Sequence, residues 1–306
     1  MARVGFIGLG NMGGPMAANL RAAGHEVTAY DVLPQARDAA RVQGHAIAFD
    51  PPAAVKGAEF VITMLPAGAD VLAVYAQALG VARPGTLWVD CSTIDVASAR
   101  AAHEAAHAAG MESLDAPVSG GVAGAAAATL TFMAGGGEGE FARARPVLAA
   151  MGNRIIHCGG PGSGQAAKIC NNLILGISMI AVSEAFVLAE RLGLAPQPLF
   201  DVVSSSSGQC WSLANCCPVP GLVAASPASH GFKPGFAARL MLKDLRLAAA
   251  AETGEAPGLA ASAAALYDRF AASGHGDEDF SAIIRLIRAA AAGTPIRPAE
   301  ISCNDP

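Results

Sequence analysis

Short apolar runs rich in valine, isoleucine and phenylalanine recur through the first half of the chain, each four or five residues long and each followed by an alanine-rich stretch with helical spacing. The runs predict strands at 4–7, 26–30, 60–64, 87–90, 112–115, 130–134 and 154–157. Such alternation is the pattern of a parallel sheet covered by helices on both faces. Beyond about residue 164 the strand pattern stops. Helical periodicity continues at 165–192, after Pro196, and at 236–253, 259–272 and 279–292. The segment GGPGSG at 159–164 punctuates the change. We therefore expect an α/β doubly wound sheet domain at 1–163, a smaller all-α domain at 164–296 and a tail at 297–306. The run LILGISMIAVSEAFVLA at 173–189 carries Ser178, Ser183 and Glu184. It reads as a buried helix and not as a membrane span. A helix apolar on nearly every side needs more than one neighbour, which predicts a homodimer or homotetramer.

Composition changes this picture only a little. The 306 residues have a formal charge of −5 and a pI near 5.8, which offers no electrostatic attraction for nucleic acid or an anionic membrane. The expected partner is a small molecule. Seven cysteines, with no CxxC pair, fit reduced thiols. With the first strand starting near Ala2 and no room before it for a targeting segment, the expected compartment is the cytoplasm.

The first motif with chemistry is GLGNMG, comprising Gly8, Gly10, Asn11, Met12 and Gly13. It follows the strand VGFI and opens a helix. Glycines there let the backbone turn and approach a pyrophosphate, and the helix N-terminus attracts negative charge. Asp31 follows at the end of the second strand, where a carboxylate accepts from ribose hydroxyls and repels a 2′-phosphate. Together these predict a Rossmann-type domain binding NAD. Two further strand ends, TMLPAGAD at 63–70 and DCSTID at 90–95, should line the same crevice. In the second, Ser92 or Thr93 serves equally well as a cap for the next helix, with Asp95 completing a capping box. Ser119, Gly120 and Gly121 read equally as an ordinary turn or as a cradle for a small carboxylate.

Lysine is scarce: only Lys56, Lys168, Lys233 and Lys243 occur among 20 basic residues. Lys168 lies in the apolar stretch GQAAKICNNLILG, and Asn172 follows it by one helical turn. A lysine held in apolar surroundings can trade a proton where arginine cannot; a lysine that snorkels to solvent is the plainer alternative. Lys243, in the more polar MLKDLRLA, suits a cofactor-holding role. Trp211 sits in a Ser/Gly-rich stretch, where an aromatic is either a packing anchor or a pocket wall; Phe232 and Phe236 are further candidate walls. His103 and His107 have i, i+4 spacing but no third ligand nearby, so they read as a solvated face and no metal site is expected. No GxSxG, HExxH or P-loop pattern is present.

The ordered set FIGLGNMGGPMA, MLP, DCSTID, DAPVSGG, GQAAKICNN and LMLKDL resembles the β-hydroxyacid dehydrogenase family over residues 3–292. The resemblance implies a Rossmann domain followed by a helical one, and oxidation of a small 3-hydroxy acid by NAD. It implies cofactor contacts at Leu65, Pro66, Asp70, Thr93 and Lys243, and substrate contacts at Ser119, Gly120, Gly121 and Asn172. Lys168 matches the family's catalytic lysine. SSSSGQCWS and CPVPG point within the family to 3-hydroxyisobutyrate as substrate, with Trp211 and Phe236 beside it. Serine, glycerate or tartronate semialdehyde are the alternatives, an imine-reducing or non-catalytic relative is a more distant one, and no phosphate clamp for 6-phosphogluconate is evident. AGAAAATL and ANCCPVPG depart from the family's usual residues and bear on substrate choice.

Overall fold

The computed structural model describes residues 1–251 and 258–296. The expected tail at 297–306 and the last residues of the helix expected at 236–253 lie outside them. Two compact units divide between Lys168 and Ile169.

In the first unit, strands β1 (Arg3–Ile7), β2 (Glu26–Tyr30), β3 (Ala46–Ile47), β4 (Phe60–Thr63), β5 (Leu87–Asp90), β6 (Glu112–Asp115), β7 (Val118–Ser119), β8 (Leu130–Gly135) and β9 (Gly152–Gly159) form one sheet. Its order is β3-β2-β1-β4-β5-β6-β8-β7, with β9 paired to β8. Helices α1 (Gly13–Ala22), α2 (Pro34–Val42), α3 (Pro51–Val55), α4 (Gly68–Ala78), α5 (Val96–Ala108), α6 (Gly121–Ala126) and α7 (Glu138–Leu148) connect the strands. Two apolar clusters flank the sheet, one around Phe6, Ile62, Val89 and Phe132 and one around Ile7, Val61, Tyr75 and Trp88. Neighbouring residues of β1 thus enter opposite clusters, as the pleat requires. Strands covered on both faces read as unbroken apolar runs.

The sheet is parallel from β3 to β6, but β8 runs antiparallel to both β6 and β7. β7 follows β6 in one antiparallel register against β8, Asp115 facing Gly135 and Ser119 facing Thr131, so the chain returns through the six-residue α6 as a hairpin and not as a crossover. The direction therefore reverses at this point, where a fully parallel sheet was expected.

Helix α8 (Ser163–Arg191) begins in the first unit and continues into the second. The second unit continues with α9 (Pro196–Ser204), α10 (Trp211–Cys216), α11 (Ala238–Ala251), α12 (Leu259–Phe270) and α13 (Ile284–Ala291). Its core gathers Met179, Phe186, Met241, Leu245, Tyr267, Phe270 and Phe280. Trp211, at the end of the Ser/Gly-rich stretch, is the first residue of α10. The helix expected to run to residue 272 ends at Phe270; a wider turn follows at Ala271–His275, where Gly274 has φ +89°.

Candidate active site

The turn between β1 and α1 separates its glycines by function. A Cβ on Gly8 (φ +100°) would lie 2.2 Å from the Met64 carbonyl oxygen, and one on Gly13 would lie 1.9 Å from that of Gly8. Both glycines are demanded by close backbone packing. Gly10 differs, because a Cβ there would meet nothing within 4 Å. Gly10 and Asn11 are exposed and Met12 is half-buried at the head of α1. The space beside Gly10 is therefore left open by the protein.

Asp31 closes this turn from the end of β2. Its Oδ2 accepts from the Leu9 N–H at 2.6 Å and its Oδ1 from the Leu33 N–H at 2.8 Å. Each oxygen retains a further lone pair for an outside donor. An open glycine turn at a helix start, with a fixed carboxylate beside it, matches the chemistry of an adenosine diphosphate moiety with a free 2′-hydroxyl.

The ends of β4 and β5 are tied together by side chains. Asp90 Oδ1 accepts from Thr63 Oγ1 at 2.7 Å and from Ser92 Oγ at 2.6 Å, and Ser92 Oγ accepts from the Leu65 N–H at 2.8 Å. Burial pushes the Asp90 carboxyl above its ordinary pKa, against the lowering effect of these bonds. Asp95 caps α5 by itself, accepting from the Ser98 N–H at 2.7 Å. Neither Ser92 nor Thr93 is that N-cap. Leu65 and Thr93 are half-buried; Pro66 and Asp70 are exposed, Asp70 in the first turn of α4.

Ser119 ends β7 opposite Thr131 and is half-buried. Gly120 and Gly121 follow with φ +134° and +62°, a sharp bend that side-chain-bearing residues rarely adopt.

The start of α8 is packed against β6 and β8. A Cβ on Gly164 would sit 2.2 Å from the Met133 carbonyl oxygen, so only glycine allows this approach. Asp115, at the end of β6, accepts from the Gly162 and Gln165 N–H groups, each at 2.8 Å, and so caps the helix from a distant strand. His103 Nε2 lies 3.0 Å from Asp115 Oδ1. The expected solvated histidine face is corrected for His103 and holds for His107, which is exposed: His103 is buried beside this carboxylate on the packed side of α5, which also holds Ala99, Ala102 and Ala106. That a/d-like spacing was a readable sign of burial.

Along α8, Lys168 is only 7% exposed and Asn172 is 1% exposed. Lys168 is therefore a buried lysine. The i, i+4 spacing puts the two on one helix face. The Asn172 amide is held at both ends: its Nδ2 donates to Asp244 Oδ2 at 2.5 Å, and its Oδ1 accepts from Asn171 Nδ2 at 2.9 Å. Lys243 Nζ lies 3.4 Å from Asp244 Oδ1. Asp244 is thus the point where the NN and KD motifs meet, a role the reading of the sequence missed. Its signal was an acid on the apolar face shared with Met241, Leu245 and Ala248. Phe236 packs edge-on to Phe280 at 5.9 Å, while Trp211 is 56% exposed. Among the described residues no group of three metal-binding side chains occurs.

Two family models cover the chain in succession. Residues 3–160 match the NAD binding domain of 6-phosphogluconate dehydrogenase, and 162–287 match the NAD-binding of NADP-dependent 3-hydroxyisobutyrate dehydrogenase. The chain is 54% identical to the probable 3-hydroxyisobutyrate dehydrogenase of Mycobacterium tuberculosis, over 95% of this chain and 99% of that one. It is 42% identical to the human mitochondrial 3-hydroxyisobutyrate dehydrogenase, over 93% and 86%. The solved structure of the M. tuberculosis 3-hydroxyisobutyrate dehydrogenase with L-serine superposes with a TM-score of 0.91, covering 94% of this chain and all of that one.

Proposed function

This chain belongs to the 3-hydroxyisobutyrate dehydrogenase family, and from that premise we propose that it oxidises 3-hydroxyisobutyrate to methylmalonate semialdehyde with NAD, with Lys168 as proton carrier. The observation that carries the reading is a buried lysine on one helix face with an asparagine whose amide is fixed at both ends. We assign residues 1–163 to cofactor binding and 164–296 to the substrate side and assembly.

NAD, when bound, supplies the acceptor for the hydride that leaves the carbinol carbon. We assign Gly8, Gly10, Asn11, Met12 and Gly13 with Asp31 to the adenosine end, and Leu65, Pro66, Asp70, Thr93 and Lys243 to the remaining contacts. Ser119, Gly120 and Gly121 hold the substrate carboxylate, while Trp211 and Phe236 border its carbon skeleton. Held by its carboxylate, a 3-hydroxy acid directs its hydroxyl away from that end. Lys168 Nζ takes the hydroxyl proton during oxidation and returns it during reduction, and Asn172 orients the same oxygen. A positioned base of this kind contributes roughly a hundred- to ten-thousand-fold in rate.

L-Serine in the solved relative favours a second reading, in which a small hydroxy amino acid is the better substrate. Steady-state rates with 3-hydroxyisobutyrate, L-serine and glycerate, each with NAD and with NADP, separate the two. We expect the highest kcat/KM for 3-hydroxyisobutyrate with NAD. A higher value for L-serine would establish the second reading, and activity with NADP alone would overturn the role given to Asp31.

We further read the enzyme as a cytoplasmic homodimer or homotetramer. α8 is long and apolar enough to cross a membrane, yet its buried side carries Gln165, Lys168, Asn172 and Ser183. Polar groups in that number on the packed side suit a helix inside a folded protein. Its other side exposes Ile174 and Leu188, which supports a partner subunit.

A further inference from the structure

Gln165 lies in the GQAAKICNN motif but has no part in the mechanism given above, yet it is fully buried, with 0% exposure. Its side-chain Oε1 accepts from the Ile94 N–H at 3.1 Å, and its Nε2 donates to the Ser92 carbonyl oxygen at 2.8 Å. An amide N–H can only donate and a carbonyl oxygen can only accept, so these partners fix which end of the glutamine is which. The two backbone groups it satisfies flank Thr93. Through Ser92 Oγ the same loop also holds the Leu65 N–H, at the start of the second cofactor segment.

Gln165 lies in the first turn of α8, three residues before Lys168 and on the same face. Its own N–H is taken by Asp115, which caps the helix. The helix start is therefore secured by backbone bonds to Asp115, and the Gln165 side chain is left to bind the helix to the 92–94 loop. A leucine of similar size would leave both loop groups buried without partners. An asparagine, one methylene shorter, would not span both.

We propose that Gln165 is a positioning residue that locks the 92–94 cofactor loop to the helical turn carrying Lys168, holding the hydride acceptor's loop and the proton carrier in one fixed register. This rests on the roles given above to Thr93 and Lys168. Hydride and proton leave adjacent atoms of one substrate, so displacement of either partner slows chemistry without preventing binding.

The test uses Gln165→Leu, which removes both bonds, and Gln165→Glu, which keeps the acceptor for Ile94 but places an oxygen against the Ser92 carbonyl. Three readouts apply: amide hydrogen exchange in the absence of ligands, NAD affinity, and kcat with the deuterium isotope effect at the carbinol carbon. In Gln165→Leu we expect exchange at Ile94 at least tenfold faster, NAD affinity within about threefold of wild type, kcat reduced about 10- to 100-fold and a larger isotope effect. Gln165→Glu should lose kcat while exchanging less at Ile94 than Gln165→Leu. A kcat within twofold of wild type in folded Gln165→Leu, or unchanged exchange at Ile94, would overturn the inference. If Gln165→Leu does not fold, kcat in Gln165→Glu decides by the same twofold criterion. Failure of the functional reading would appear separately, in wild-type protein that does not bind NAD or oxidise a 3-hydroxy acid.

Discussion

Gly10 and Gly13 lie three residues apart in one motif, but a methyl group would affect them in opposite ways. At Gly13 it would collide with the Gly8 carbonyl oxygen, so Gly13→Ala should lower the melting temperature and expression. At Gly10 it meets no protein atom within 4 Å. Gly10→Ala should therefore leave the melting temperature unchanged and weaken NAD binding about tenfold or more, roughly 1.4 kcal/mol by titration. Equal destabilisation of both variants would contradict this assignment of the open space. Asp31→Asn puts an amide N–H against a backbone N–H that now donates to carboxylate, either at Leu9 or at Leu33. It should reduce NAD affinity by about 1–3 kcal/mol in calorimetry, with a smaller loss for NADP. Gly8, Gly10, Gly13, Asp31, Lys168 and Asn172 stood out as candidates because each lies in a contiguous motif or, like Asp31, at the end of the strand after one. For Asp244 and His103 the helix periodicity signals burial, but their partners, like those of Gln165, come from other strands and helices, and spacing along the chain does not identify them.

Among the elements, β2, β5 and β6 begin and end where the apolar runs do. β3 and β7 escaped notice because a two-residue strand has no periodicity to read. The reversal at β8 was hidden for a related reason: it is set by the pairing of the two-residue β7 with β8, and a strand's composition is the same in either direction. β5 also carries the chain's clearest pH prediction. The Asp90 carboxyl is raised above its ordinary value of 3.8 by burial, and its Oδ2 has no hydrogen-bond partner. A carboxyl raised in the folded state favours folding most below its unfolded pKa, and that contribution is lost as pH climbs through the folded value. Asp90→Asn keeps the Oδ1 acceptor and removes the charge. Its stability should fall less than that of wild type between pH 4 and pH 7 in chemical denaturation. A steeper fall in the variant would show that the carboxylate is stabilised in place.

For the molecule as a whole, the switch from strand to helix periodicity near residue 164 marks the start of α8, and the compact units divide a little later, between Lys168 and Ile169. The helix expected to be apolar on nearly every side, α8, leaves Ile174 67% and Leu188 55% exposed. If these side chains seat a second copy, light scattering should give two or four times the 30.6 kDa chain mass. Ile174→Glu combined with Leu188→Lys should then shift the mass to that of one chain; a monomeric wild type would contradict the assembly. Cofactor turn, carboxylate cradle and buried lysine acquire a common purpose only if Lys168 moves the substrate proton. The most direct test is NAD binding and 3-hydroxyisobutyrate turnover by Lys168→Ala beside the wild type. The account predicts unchanged NAD affinity with kcat lower by roughly a hundred- to ten-thousand-fold; near-normal turnover in the variant would contradict it.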